Sequence, residues 1–286
     1  QDGQDLFAVW AGSAEKLLEG TRYVLADPAA SFPVRSDITW ESDVHLGKLP
    51  GQANACLVAD FGEPIGSCVL VLSGGGDRAY RVAVKGHEPV DITLKLRLST
   101  ASKLATPGDF NKDGRIDLAS WDGDRVRVAL QTAEGTFQLQ TTAVKLKDCL
   151  SLDTLAVGEP ARSGLLAGTA DGPVLLIPDD DGGFATRKVA SPAGGVNRSD
   201  LGPGGMCAVA DFNVDGHSDT VELFTGGIVF YAGTAPGQFK TPIGKRVGTV
   251  ARPCSSVCGD YDADGRLDLV VAGEDGIALL SSDQSR

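Results

Sequence analysis

The chain has 286 residues, 42% of them hydrophobic, enough to bury a large core and too many for a disordered chain. A formal charge of −12 and a pI near 4.7 repel phosphate backbones, which argues against nucleic acid as a partner. No stretch reaches the roughly 18 apolar residues needed to span a bilayer, and 37 Gly with 14 Pro favour short strands and tight turns over long helices.

Taken in chain order, the predicted elements repeat. Gln1 reads as a start left by processing, and "QDGQDLFAVWAG" (1–12) resembles the tail of a repeat whose beginning is missing. "SAEKLLEG" (13–20) is the one candidate helix, inserted in that first copy. "CLVADFGEPIGSCVLVLSGG" (56–75) gives strand, turn and strand around Asp60. "DFNKDGRIDL" (109–118) puts oxygen-bearing side chains at alternate positions, then a glycine, then another aspartate. "LAVGEPARSGLLAGTADG" (155–172) keeps the apolar frame of that stretch without its acids. "ADFNVDGHSDTVEL" (210–223) and "GDYDADGRLDLVVAG" (259–273) restore the full pattern. The period is about 50 residues, with starts near 1, 60, 109, 158, 211 and 260.

Each period reads as four strands. In the copy at 211 these are "MCAVA", "TVELF", "GIVFYAG" and "GQFKTPIG", with turn residues between them. One such sheet cannot bury both faces, whereas a ring of them can, so the expected fold is an all-β propeller occupying 1–286 as a single domain. The motif DxNxDGxxDL, followed by a hairpin and repeated at this period, resembles the FG-GAP/VCBS repeat family, which includes integrin α-subunit propellers. The likeness covers the whole chain in period, strongly in three copies, weakly in two and partially in one. Both termini fall inside repeats, so the count points to six blades, with seven or a fragment of a larger protein as alternatives.

The three intact loops carry hard oxygen donors at positions 1, 3, 5 and 9 and a backbone carbonyl at 7, with Gly at 6 for the sharp turn. Ca²⁺ takes six to eight such donors at about 2.3–2.6 Å. The candidate ligands are Asp109, Asn111, Asp113, the carbonyl of Arg115 and Asp117; Asp211, Asn213, Asp215, the carbonyl of His217 and Asp219; and Asp260, Asp262, Asp264, the carbonyl of Arg266 and Asp268. The family resemblance implies calcium at the same positions, between strands 1 and 2 of a blade. Three acidic loops in register favour Ca²⁺ over a bare charged turn, and Mg²⁺ prefers a more compact octahedron. Three ions would take the formal charge from −12 to −6. Residues 211–222 also satisfy the EF-hand pattern, with Glu222 at position 12, but their flanks are strand-like. The copies at 60 and 158 lack the later acids and should form tight turns without metal.

The scattered His45, His87 and His217 and the absence of CxxC argue against zinc. Six Cys fit either disulfides in an oxidising compartment or buried free thiols. GxSxG, HExxH and P-loop motifs are absent, and "LSGGGD" (72–77) reads as a turn. The expected function is therefore a non-enzymatic protein-binding or adhesion-type propeller, secreted, cell-surface or periplasmic. A lectin-like propeller is the alternative and a polysaccharide lyase a third reading. By the resemblance, a protein or glycan ligand meets the face opposite the calcium loops, at Ala11–Thr21, Asp43–Asn54, Asp122–Arg125 and Ser191–Gly205. Trp121, Trp10 and Tyr231 are the aromatics that a sugar could stack on, with core packing as their other role.

Overall fold

The computed structural model describes residues 52–81, 90–98, 100–179, 183–192, 195–261 and 264–281. Strands dominate, because β-branched and apolar residues alternate in runs of four to nine between Gly, Pro and Asp turns. Blade 1 contains β1 (Ala53–Asp60), β2 (Ser67–Ser73), β3 (Arg78–Arg81) and β4 (Val90–Asp91). Blade 2 contains β5 (Leu104–Gly108), β6 (Asp117–Trp121), β7 (Arg125–Gln131) and β8 (Phe137–Lys145). Blade 3 contains β9 (Cys149–Val157), β10 (Arg162–Thr169), β11 (Val174–Pro178) and β12 (Phe184–Lys188). In blade 4, β13 (Gly204–Ala210), β14 (Asp219–Phe224) and β15 (Gly227–Tyr231) are followed by a small hairpin of β16 (Gly233–Ala235) and β17 (Gln238–Phe239). The blade then ends with β18 (Ile243–Arg246). Blade 5 has β19 (Ser255–Gly259), β20 (Asp268–Gly273) and β21 (Gly276–Leu280).

Every blade is an antiparallel meander in chain order, and the first strands of consecutive blades lie side by side from β1 through β5, β9 and β13 to β19. This is the packing of a β-propeller. Five blades are described, not the six or seven read from the period. The first copy, its helix at 13–20, Trp10 and the loop Ala11–Thr21 fall in residues 1–51, outside the described residues. The five are the copies at 60, 109, 158, 211 and 260, and the copy that starts near 1 lies outside the described residues. The fourth strand of blade 4 is also shifted from its expected position. "GQFKTPIG" contributes β17, a turn and the first two residues of β18, Ile243 and Gly244, which pair with Phe230 and Val229 of β15.

The second strands show why blades stack. Strand β6 is buried at all five positions and β14 at all six, because each faces a neighbouring blade on both sides. Leu70 and Leu118 pack between blades 1 and 2, Val126 and Leu165 between blades 2 and 3, and Leu223 and Leu269 between blades 4 and 5. Burying one such leucine contributes about 1.5–3 kcal/mol. "LSGGGD" forms the β2–β3 turn as expected, and Asp77 behind it accepts hydrogen bonds from Ser73 N, Ser102 N and the Ser102 and Thr100 hydroxyls. That carboxylate ties blade 1 to the start of blade 2. A short helix, α1 (Thr93–Leu96), follows β4 and buries Leu96.

Candidate metal loops

The acidic stretches link strand 1 to strand 2 in blades 2, 4 and 5. In blade 2, Asp109 accepts from the backbone N–H of Asp113 at 3.2 Å and of Gly114 at 3.0 Å. The Asn111 amide oxygen also meets Asp113 N, at 3.1 Å, and Asp113 accepts from Arg115 N at 2.9 Å. Blade 4 repeats this bond for bond. Asp211 accepts from Asp215 N and Gly216 N at 3.1 and 2.9 Å, Asn213 from Asp215 N, and Asp215 from His217 N, both at 2.9 Å. In blade 5, Asp260 accepts from Asp264 N and Gly265 N, and Asp264 from Arg266 N. Asp262 lies outside the described residues. The central glycines Gly114, Gly216 and Gly265 sit at φ of 80, 86 and 85°, which explains the requirement for glycine there.

The last aspartate of each loop does a different job. Asp117 and Asp219 are fully buried at the start of the second strand. Asp117 accepts from Phe110 N and Gln131 N at 2.9 and 2.8 Å, and Asp219 from Phe212 N and Gly233 N at 3.1 and 2.7 Å. Asp268 accepts from Tyr261 N at 3.1 Å. Each thus pins loop to strand and leaves lone pairs for another partner. Burial pushes the Asp117 carboxyl up to about 6, the Gln131 and Phe110 N–H groups pull it down, and Asp113 and Asp109 push it up again. Asp219 is raised for the same leading reason, with Asp215 adding to it.

The donor set fits a hard cation. Its side-chain donors are all oxygen, the acids repel one another, and the loop backbone is already folded around them. Among the described residues, however, no three His, Cys, Asp or Glu side chains converge as a ready cage. In blade 2 the Arg115 guanidinium pairs with Asp113, which Asn111 also contacts. The Arg115 side chain thus engages one of the loop's own carboxylates, besides offering its carbonyl. His217 makes no such pair, so the blade 4 loop is less encumbered.

The structure also reassigns Glu222. It leaves the loop entirely and lies fully buried on β14, where it accepts from Arg198 Nε at 2.9 and 3.0 Å and from the Tyr231 hydroxyl at 2.8 Å. Burial raises its carboxyl, and Arg198 and Tyr231 oppose that. The EF-hand reading of 211–222 falls with it. Arg198 also lies over the Phe224 ring and reaches the Thr169 and Ala170 carbonyls, so it clamps the connection Ser191–Gly205 between blades 3 and 4. No local pattern in the sequence marks Arg198, because its partners lie 24 to 29 residues away.

Trp121 is buried, with its indole N–H donating to Leu146 O at 2.8 Å, and Tyr231 is fully buried. Neither is free to stack on a sugar, and both do the core packing that was their other reading. The loop Asp122–Arg125 is a tight turn held by Asp122, which accepts from Asp124 N and Arg125 N and pairs with Arg127. All six cysteines are free thiols, and burial raises Cys68, Cys149, Cys207 and Cys258 away from reactivity.

Residues 211–271, which span the acidic loops of blades 4 and 5, match the family model for the FG-GAP-like repeat. That segment is an FG-GAP-like repeat. The acidic loop of blade 2 carries the same hydrogen bonds as the FG-GAP-like loops of blades 4 and 5. No curated protein matches the chain by sequence. In fold, the chain is similar to an Agrocybe aegerita lectin, described as recognising non-reducing terminal N-acetylglucosamine. That likeness has a TM-score of 0.52 and 15% identity over 80% of this chain and 66% of that one. It is also similar to BBS1N in its complex with ARL6DN, at a TM-score of 0.51 and 13% identity over 87% of this chain and 68% of that one. The chain thus spans about two thirds of each, and the likeness is one of fold. Among the described residues no helix is long and apolar enough to cross a membrane.

Proposed function

We propose that this chain is a calcium-stabilised, non-enzymatic binding propeller of the extracellular or periplasmic space. One observation supports the calcium reading: three loops carry oxygen donors at the same positions, and in each the first aspartate accepts from the N–H groups four and five residues on, at the same place in three blades. Asp109, Asn111, Asp113, Asp117 and the carbonyl of Arg115 would hold the first ion. Asp211, Asn213, Asp215, Asp219 and the carbonyl of His217 would hold the second, and Asp260, Asp262, Asp264, Asp268 and the carbonyl of Arg266 the third. Bound calcium would neutralise each cluster and tie strand 1 to strand 2. Extracellular modules bind calcium at about 10⁻⁴–10⁻³ M, a range that suits a loop with exposed acids.

A protein partner on the face opposite these loops is the favoured ligand. The C-terminal part of the connection on that face, residues 195–205, is clamped by Arg198 and held to the next turn by Thr225 N and Gly226 N, which donate to Pro203 O and Leu201 O. The glycan alternative keeps the support of the lectin fold but loses Trp121 and Tyr231 as stacking platforms. The test is a thermal melt with calcium and with EGTA, alongside metal analysis of the purified protein. Calcium should raise the melting temperature and be recovered at up to three ions per chain. An unchanged melt with no calcium recovered overturns the proposal.

A further inference from the structure

A cleft of about 300 Å³ lies between blades 3 and 4, on the outer side of both. Its floor is apolar: Leu175 from β11, Phe239 from β17 and Pro242 after it. The floor is rigid, because Leu175 is fully buried and Phe239 packs edge-on against buried Tyr231, with ring centroids 6.2 Å apart. Its rim carries two cations, Arg187 from β12 and Lys240 from the other blade, while Lys188 shares the opposite face of the sheet with Val174. None of the lining residues is acidic, in a chain with 38 Asp and Glu against 26 Lys and Arg.

Arg187 and Lys188 have an ordinary use, since β12 is the outer strand of its sheet and cations protect such an edge. Lys240 does not share that use. It sits beyond the β16–β17 hairpin, whose turn reaches across to blade 3, with Gly158 N donating to Pro236 O and Arg187 to Gly237 O. The hairpin therefore brings a second cation, from blade 4, to Arg187 of blade 3, over a floor that the core holds in place. A volume of about 300 Å³ lies at the small end of ligand pockets, which suits one ring-sized group better than a length of peptide.

We propose that this cleft binds an acidic sugar unit, a pyranose bearing a carboxylate or sulfate, with its ring on Phe239 and its anion between Arg187 and Lys240. The anion could come from a free monosaccharide or from the end of an acidic polysaccharide, and the recognising chemistry is the same. The site goes beyond the calcium-loop reading and does not rest on it.

Calorimetry on the full chain tests the idea with glucuronate, a sulfated uronate disaccharide, glucose, inorganic sulfate and a short Asp/Glu peptide. Either acidic sugar should bind at least about tenfold tighter than glucose and than sulfate alone, and bind more weakly as salt rises. Binding of glucuronate identifies the free monosaccharide as sufficient, and binding of the disaccharide alone points to a chain end. Lys240→Glu and Arg187→Gln should each weaken binding about tenfold or more, while Lys147→Glu, an exposed lysine on the connection between blades 2 and 3, should leave it unchanged. Unaltered melts of these surface variants in the same buffer show that they fold. The proposal is overturned if glucose binds as well as glucuronate, if sulfate accounts for the whole affinity, if the peptide binds tighter than the sugars, or if Lys147→Glu weakens binding as much as the cleft variants.

Discussion

The strand 1–2 connections come in two kinds, and their difference shows how this ring is held. In blades 2 and 4 the loop is organised from within, by carboxylates that collect the N–H groups of their own backbone. In blades 1 and 3 the loop is a short turn with a cis Glu–Pro peptide, at Glu63-Pro64 and Glu159-Pro160, and it is braced from outside. Gln131 of blade 2 donates to Phe61 O at 3.1 Å, and Gly135 sits against the Pro64 ring, where any side chain would collide. In blade 3, Gly158 N donates to Pro236 O and Gly237 packs on Val157. The two blades without acidic loops are thus supported by hairpins from two of the three blades that have them. On the proposed calcium reading, removing the ion from blade 2 or 4 would loosen a neighbour as well.

The largest expected effect separates the loops from a competing anchor in blade 4. Glu222→Ala leaves the Arg198 guanidinium without its carboxylate in a mostly buried site, a change that typically costs about 3–5 kcal/mol. Urea unfolding should show this loss equally with calcium and with EGTA, because Glu222 lies outside the loop. A loss that appears only with calcium would break the distinction between loop and anchor.

Next in size is the contrast between Asp117 and Asp60. Asp117→Ala strands two buried N–H groups, of Phe110 and Gln131, and should cost about 2–4 kcal/mol and blunt the response to calcium. Asp60 makes one exposed hydrogen bond, to Gly62 N, so Asp60→Ala should cost less than about 1 kcal/mol and leave the calcium response intact. Equal losses from the two variants would mean that both kinds of connection are held in the same way.

The third contrast, confined to a change with pH, concerns the face between blades 3 and 4. Asp153 on β9 has a buried carboxylate oxygen with no hydrogen-bond partner, and burial pushes its pKa up to about 7. The folded state therefore holds this proton at pH values where the unfolded chain, with an ordinary Asp pKa near 3.9, has released it. The contribution of Asp153 to stability falls as pH rises between those values and levels off above about 7. Asp153→Asn should remove that slope, so unfolding free energies of variant and parent should diverge from pH 4 to 7 in favour of the variant. Parallel curves would show that Asp153 ionises freely in the fold.

Much of this was legible in the sequence because it is local. Five residues of alternating oxygen donors and one glycine fix the loop backbone, and short runs of apolar and β-branched residues between turn residues mark the strands. The end of blade 4 was less legible, because Phe239 looks like a strand residue whether it joins the blade or a hairpin outside it. The strand-like flanks of 211–222 already set the EF-hand pattern aside, but not the partner of Glu222, whose side chain meets Arg198 and Tyr231.

By itself the sequence determined the period, the blade fold and the donor set of each acidic loop, since these depend on contacts within about ten residues. Tertiary structure alone decided that Trp121 and Tyr231 are core, that Glu222 belongs to Arg198, that the hairpins of blades 2 and 4 brace the bare turns beside them, and that Lys240 meets Arg187. Those pairings join residues 24 or more apart, and only the packing of one blade on the next brings them together.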